Sequence, residues 1–324
     1  MMAKKRSKGK ARRPLQSRAA SASASASATA RRPPEARSRP GLFGGLFGRG
    51  ATGPSPLGRI TTALGRGFVV VGGSWPILLV SFLALFGEWA VLIALGTRTT
   101  PRFLVTSMAL PPIGSAIDYQ SAQALGGTAG IVLGFALLVA RALVVAVLVG
   151  LIVGVLEGRR ASLRDARRGL RAIPFIVAVN VVGLSGLLVG GSLLQVLGYG
   201  LQFLGNVMLI TALLYFLGFV PAIAIRERRG LMDTLRRSRA AASLAGGQQF
   251  TFCLLYVVAL LFVLPLVGTV NESAGLITAN PSVSAWLYGM VATCVNVSFL
   301  AALCYRWMAA EPHLATQPVR RRSR

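Results

Sequence analysis

Gly158-Arg159-Arg160-Ala161-Ser162-Leu163-Arg164-Asp165-Ala166-Arg167 follows one long apolar stretch and precedes another. Gly230-Leu231-Met232-Asp233-Thr234-Leu235-Arg236-Arg237-Ser238-Arg239 repeats the arrangement 72 positions later. The shared frame is Gly, Ser/Thr-Leu-Arg, Ala/Ser, Arg. A basic cassette between two apolar stretches decides the fold class: it joins membrane spans on one side of a bilayer. Read as helices, the two cassettes carry different stripes. The first places Leu163, Ala166, Leu170 and Ile173 on one side, with Arg160, Arg164, Arg167, Arg168 and Arg171 covering the other. The second places Leu231, Leu235, Ser238, Ala242 and Ala245 on one side, with Arg228, Arg229, Arg236, Arg237 and Arg239 around it. That spacing predicts an amphipathic helix lying in the membrane interface. A degenerate third copy precedes the first span, around Gly58-Arg59 and Leu64-Gly65-Arg66.

Working outward, six spans of about 20 to 28 residues can be drawn, enough to cross about 30 Å of hydrocarbon. They are Trp75–Gly96, Ala129–Leu156, Ile173–Leu194, Phe203–Ile225, Phe250–Val270 and Ala285–Arg306. The 324-residue chain is 54% hydrophobic and only 14% charged, and most of the charges lie outside these spans. That segregation marks a multi-pass membrane protein and not a soluble domain. The expected fold is all-α and integral to the membrane: six transmembrane helices, readable as three hairpins with basic amphipathic helices. The domains read as a disordered basic tail over 1–57, a six-helix domain over 58–308 and a basic tail over 309–324.

Charge distribution sets the orientation. The 35 Lys and Arg against 9 Asp and Glu leave a net charge of +26. Nearly all basic residues fall in the amino-terminal tail, 157–172, 226–249 and the carboxy-terminal tail; the loops 97–128, 195–202 and 271–284 contain only Arg98 and Arg102. By the positive-inside rule both termini are cytoplasmic. The acid-poor Arg/Ser/Ala tail resembles a transit peptide in composition, but it equally suits a cytoplasmic tail from a GC-rich bacterium. The bacterial inner membrane is the expected location. Aromatics lie mostly inside spans rather than interleaved with the basic runs, which argues against nucleic acid as the partner. The arginines Arg164, Arg167, Arg168, Arg236, Arg237 and Arg239 are the candidate contacts to anionic lipid headgroups, or to an acidic protein partner.

Pro221 near a span end, Glu227, Gly230 and Thr234-Leu235-Arg236-Arg237-Ser238 before the next span resemble the six-span membrane domain associated with some bacterial glycerophosphodiester phosphodiesterases, and related bacterial membrane families. Glu157, Gly158, Leu163, Arg164 and Ala166 give a looser match. The resemblance covers about residues 58–308. It implies a helical membrane domain. It does not imply phosphodiesterase activity, which belongs to a separate soluble domain rich in His and carboxylates, and the only histidine here is His313.

Catalytic patterns are missing. There is no Gly-x-Ser-x-Gly elbow, phosphate-cradling loop, His-Glu-x-x-His motif or Cys/His metal spacing. Cys253, Cys294 and Cys304 all fall in spans and read as buried, reduced thiols. The sequence therefore reads as non-enzymatic, without cofactor or metal. Glu88 and Arg141 stand out as ionisable residues well inside spans one and two, at matching depth, about 20 Å from the cytoplasmic ends. They are expected to pair, either fixing helix register or forming a polar step in a transport path. Asn180, Asn206 and Asn296 are expected to hydrogen-bond between helices. Glycines at Gly126, Gly130 and Gly134, at Gly150, Gly154 and Gly158, and at Gly186 and Gly190 mark close packing. Two functions follow: a membrane scaffold or accessory subunit with a basic, lipid-contacting face, or a small transporter or channel.

Overall fold

A computed structural model describes residues 58–94, 127–195, 199–227, 229–244, 247–259 and 281–315. Among these residues the fold is all-helical, without strands. Four helical stretches are long and apolar enough to cross a membrane; the number is six if each of two sharply bent pairs counts as one span. The protein is a multi-pass membrane protein.

Three units follow one another, each made of a short helix and two further helical stretches, its first and second spans by position. The first holds α1 (Ile60–Gly72), α2 (Trp75–Ala94) and α3 (Gly127–Leu156). The second holds α4 (Leu163–Gly169), a 3-10 turn (Leu170–Ala172), α5 (Ile173–Gln195), α6 (Tyr199–Leu217) and α7 (Val220–Arg226). The third holds α8 (Leu231–Leu244), α9 (Gly247–Val258) and α10 (Pro281–Ala315). The degenerate copy before span one is thus a helix in its own right, occupying the same place in its unit as the other two.

Local chemistry explains the breaks. α1 stops at Gly72-Gly73, where the Gly73 amide donates to the Val69 carbonyl at 2.9 Å. Pro76, in the first turn of α2, has no N–H with which to continue α1 and suits a helix start. The chain bends by 82° there. α3 ends at Gly158, whose φ of +79° lies in the left-handed region that glycine adopts without strain. Ser162 then caps α4, accepting from the Asp165 amide at 3.4 Å. Span four is broken at Gly218-Phe219, just before Pro221.

The units pack in a cyclic order. The second spans α3, α6–α7 and α10 touch one another at the centre. Each first span lies between its own second span and that of the preceding unit: α2 between α3 and α10, α5 between α6 and α3, and α9 between α10 and α6. Each short helix lies on the preceding unit's second span: α4 on α3, α8 on α6 and α7, and α1 on α10. The last contact brings residues near the start of the chain against its last described helix.

The cassette stripes are corrected by this packing. On α4 the residues buried against the bundle are Asp165 and Gly169, followed by Ala172 in the 3-10 turn; Leu163 is 81% exposed and Leu170 is exposed as well. On α8 they are Thr234, Ser238, Ala241 and Ala242, with Leu231 and Met232 exposed. On α1 they are Ala63, Gly67, Val70 and Val71. Residues three, seven and ten positions into α1 and α8 thus share one burial pattern. The reason is steric. Small residues let backbones approach closely, so they face protein while the large apolar side chains point outward. The sixth span also differs from expectation. α10 has 35 residues, about 52 Å at 1.5 Å per residue, and continues past 308 to bury Ala310 and Leu314. The far half of the expected fifth span, the loops 97–126 and 271–280, the amino-terminal tail and residues 316–324 of the carboxy-terminal tail lie outside the described residues, whereas 309–315 belong to α10.

Three seams show how tight the approach is. A Cβ on Gly169 would overlap the Ala146 carbonyl and stand 3.2 Å from the Gly150 Cα. A Cβ on Gly67 would overlap the Ser298 carbonyl and stand 3.1 Å from the Ala302 nitrogen. At the third seam Ser238 takes the glycine's place, its hydroxyl donating to the Phe216 carbonyl at 2.6 Å. Gly67→Ala and Gly169→Ala are each expected to destabilise the protein by about 1–3 kcal/mol through overpacking. Gly65→Ala, on the open face of α1 with nothing within 4 Å, is expected to be neutral or stabilising by about 0.5 kcal/mol. Thermal unfolding of the three variants in detergent checks the contrast.

Candidate functional site

The three second spans end on one face of the bundle, beside the short helices, and each ends in a carboxylate: Glu157 just after α3, Glu227 just after α7 and Glu311 near the end of α10. Arg226 links two of them across units. Its Nη1 donates to Glu157 Oε1 at 2.5 Å and its Nη2 lies 2.8 Å from Glu311 Oε2. Residues from all three second spans therefore meet at one guanidinium, whose planar fork can serve two carboxylates at once. Glu157 also accepts from Arg168 at 3.1 Å and pairs with Arg159. Arg159 reaches Asp165 at 2.9 Å. Glu227 accepts from Arg237 at 2.7 Å and pairs with Arg229 at 2.5 Å.

Arg168 and Arg237 occupy equivalent places, three residues after the buried Asp165 and Thr234, and each holds the carboxylate at the end of the preceding span. They were expected to face lipid headgroups. Both are instead half-buried in internal ion pairs, because their position on the short helix faces the span end. The third equivalent position, Arg66, is exposed, and Glu311 is taken by Arg226. The other expected headgroup contacts, Arg164, Arg167, Arg236 and Arg239, are exposed.

This pairing leaves a predominantly basic surface, on which Asp233 is the one strongly exposed carboxylate among the described residues. The five carboxylate side chains that the structure describes, Glu157, Asp165, Glu227, Asp233 and Glu311, each have an arginine within 4 Å. Arg59, Arg66, Arg160, Arg164, Arg167, Arg171 and Arg239 are exposed and meet no carboxylate among the described residues. Exposed Leu163, Leu170, Leu231 and Met232 lie beside them. A cation above an apolar side chain is the arrangement that suits the boundary between headgroups and acyl chains.

Deeper in the bundle, Arg141 is buried on α3, as expected of an intramembrane charge. Its proposed partner Glu88 lies on α2, but the Glu88 side chain is outside the described residues. Asn296 joins two helices: Tyr256 of α9 donates to its Oδ1 at 2.5 Å, and the Tyr256 ring stacks on Phe299 at 4.5 Å. Asn180 is fully buried with neither amide atom hydrogen-bonded among the described residues. Gly150 and Gly154 face α4, and Gly186 and Gly190 face Leu213 and Leu209 of α6. Two features escaped sequence reading. One is the Arg226 bridge. The other is Arg306, fully buried on α10 with Gln249 and Gly58 as its hydrogen-bond partners. The glutamates at the span ends were a visible signal for the first; nothing in the pattern distinguished Arg306 from an ordinary span boundary.

No protein-family model, curated protein or solved structure matches the chain.

Removing Arg226 leaves two partly buried carboxylates facing each other. Arg226→Gln is expected to cost about 2–4 kcal/mol, below the full cost for a buried pair because the groups retain some exposure. Arg226→Lys, which can satisfy only one carboxylate well, is expected to fall between wild type and Gln. Thermal unfolding ranks the three; equal stability of Arg226→Gln and wild type would show the bridge to be idle.

Proposed function

We propose that the protein is a non-enzymatic membrane scaffold or accessory subunit of a bacterial cytoplasmic membrane. Its basic face would meet the anionic headgroups of the inner leaflet, with both termini cytoplasmic. The observation that carries this reading is the division of labour among the arginines. One set neutralises every described carboxylate, and the rest stand exposed beside outward leucines on the short helices. Each basic residue near an anionic leaflet contributes about 1 kcal/mol, so several arginines on one face bias the local lipid strongly. The resemblance of the cassette to the six-span membrane domain associated with some phosphodiesterases implies a helical membrane domain and not that activity.

Co-purified lipid gives the test. Wild type extracted from native membrane is expected to be enriched in anionic lipid over the bulk membrane. Arg164→Gln/Arg167→Gln/Arg239→Gln is expected to lower that enrichment by about tenfold or more, with unchanged thermal stability. An identical lipid profile for the two would contradict the reading. For orientation, Thr62→Cys on α1 and Ser273→Cys in the opposite loop should label from opposite sides of intact vesicles.

A small transporter or channel is the second reading, favoured by Arg141, a charged side chain buried within α3. It predicts ion or proton flux in liposomes that Arg141→Gln abolishes without unfolding the protein.

A further inference from the structure

Arg306 is a cation with 0% exposure, and the described residues around it are neutral. Its Nε donates to Gln249 Oε1 at 2.7 Å, its Nη1 donates to the Gly58 carbonyl at 3.3 Å, and its guanidinium lies 5.2 Å from the centre of the Phe252 ring. Its Nη2 is buried and has no hydrogen-bond partner among the described residues. No described carboxylate lies within 4 Å of it. A buried, uncompensated charge is costly, and the aromatic face and neutral acceptors recover only part of that cost.

The place matters as much as the charge. Gly58 lies just before Arg59, the N-cap of α1, so the guanidinium stands at the amino-terminal approach of that 13-residue helix. The first amides of a helix have no intrahelical acceptor, and Arg59 makes no side-chain cap. The first intrahelical bond runs from the Ala63 amide to the Arg59 carbonyl. Ile60, Thr61 and Thr62 thus present the electropositive end of the helix, with the Thr61 and Thr62 side chains exposed.

The cyclic order of the units shows what is missing. The seam between Gly169 and Ala146 corresponds to that between Gly67 and Ser298. Counting along the helices from each seam, Asp165 corresponds to Ala63 and Gly154 to Arg306. At the middle seam the Asp165 carboxylate lies over Gly154, so close that a Cβ there would stand 2.7 Å from its Cγ. At the first seam the carboxylate is replaced by a methyl group and the glycine by an arginine. The site has exchanged an internal anion for an internal cation.

We propose that Arg306 and the first turn of α1 form a binding site for a phosphate-class anion, which stands where the Asp165 carboxylate stands one seam away. The anion takes the Nη2 of Arg306, which has no partner among the described residues, and the first-turn amides of α1. Its charge comes either from a phospholipid headgroup or from free phosphate, since both present the same oxygens. The site is separate from the exposed arginines of α4 and α8 and does not depend on their role.

The test uses the full chain in a phosphate-free maltoside detergent, with thermal unfolding followed as inorganic phosphate or short-chain phosphatidic acid is added. A rise in Tm with inorganic phosphate identifies a free-anion site; a rise with phosphatidic acid alone identifies a headgroup site. Arg306→Gln is expected to weaken the response by about tenfold or more, the loss of a charged hydrogen-bond partner. Ala63→Asp restores a carboxylate within the chain, as at the middle seam. It is expected to keep the fold and abolish the response, and it decides the matter if Arg306→Gln does not fold. Arg164→Gln/Arg167→Gln/Arg239→Gln is expected to retain the response, which separates this site from the surface reading. No shift of wild type with either anion, or a full shift in Ala63→Asp, overturns the proposal.

Discussion

Close approach of helix backbones is the constraint on which this structure depends. At the carbonyls of Ala146, Phe216 and Ser298, a second span meets a short helix at Gly169, Ser238 and Gly67 respectively. Two of these contacts admit no side chain, and the third uses a hydroxyl to donate to the carbonyl. In a bilayer the hydrophobic effect does not drive helices together, because lipid is as apolar as leucine. Packing and polar contacts carry association instead. Three small-residue seams, each joining one unit to the one before, therefore do what a large apolar core does in water.

Polar groups follow from the seams. Once a short helix is pressed against a span, the arginine one position before the seam residue, Arg168 or Arg237, faces the carboxylate at the span end. Arg226 then ties Glu157 to Glu311 across the centre. Most arginines that face away find no acid among the described residues and stay exposed with the leucines; exposed Arg236 keeps only a 3.8 Å contact to exposed Asp233. One packing rule thus sorts the basic residues into a structural set and a surface set. The buried Arg306 belongs to neither, which is why it points to a ligand.

Much of the architecture was legible in the sequence. Span number, the basic cassette and its repetition follow from apolar length and arginine position alone, since charge and hydrocarbon exclude each other. The third cassette was faint because α1 keeps the small residues Ala63 and Gly67 but only two arginines, Arg59 and Arg66. The facing of the cassette helices was misread. A leucine stripe normally marks the protein side of a helix in water; beside lipid, the small residues mark it. Aligning the cassettes on their glycines placed Ser162 with Thr234, whereas burial places Asp165 there. The Arg226 bridge and the environment of Arg306 depend on residues far apart in the chain, Glu157 with Glu311 and Gly58 with Arg306, and no local pattern encodes such pairs.

The central claim is cyclic closure, with α1 docked on α10 within one chain. A diazirine photocrosslinker in place of Leu64, which packs against the core from α1, reads it directly. Mass spectrometry of the irradiated protein in membranes should recover intrachain crosslinks to peptides from 281–315. Crosslinks confined to the adjacent α2, or formed only between chains, would contradict the closed arrangement.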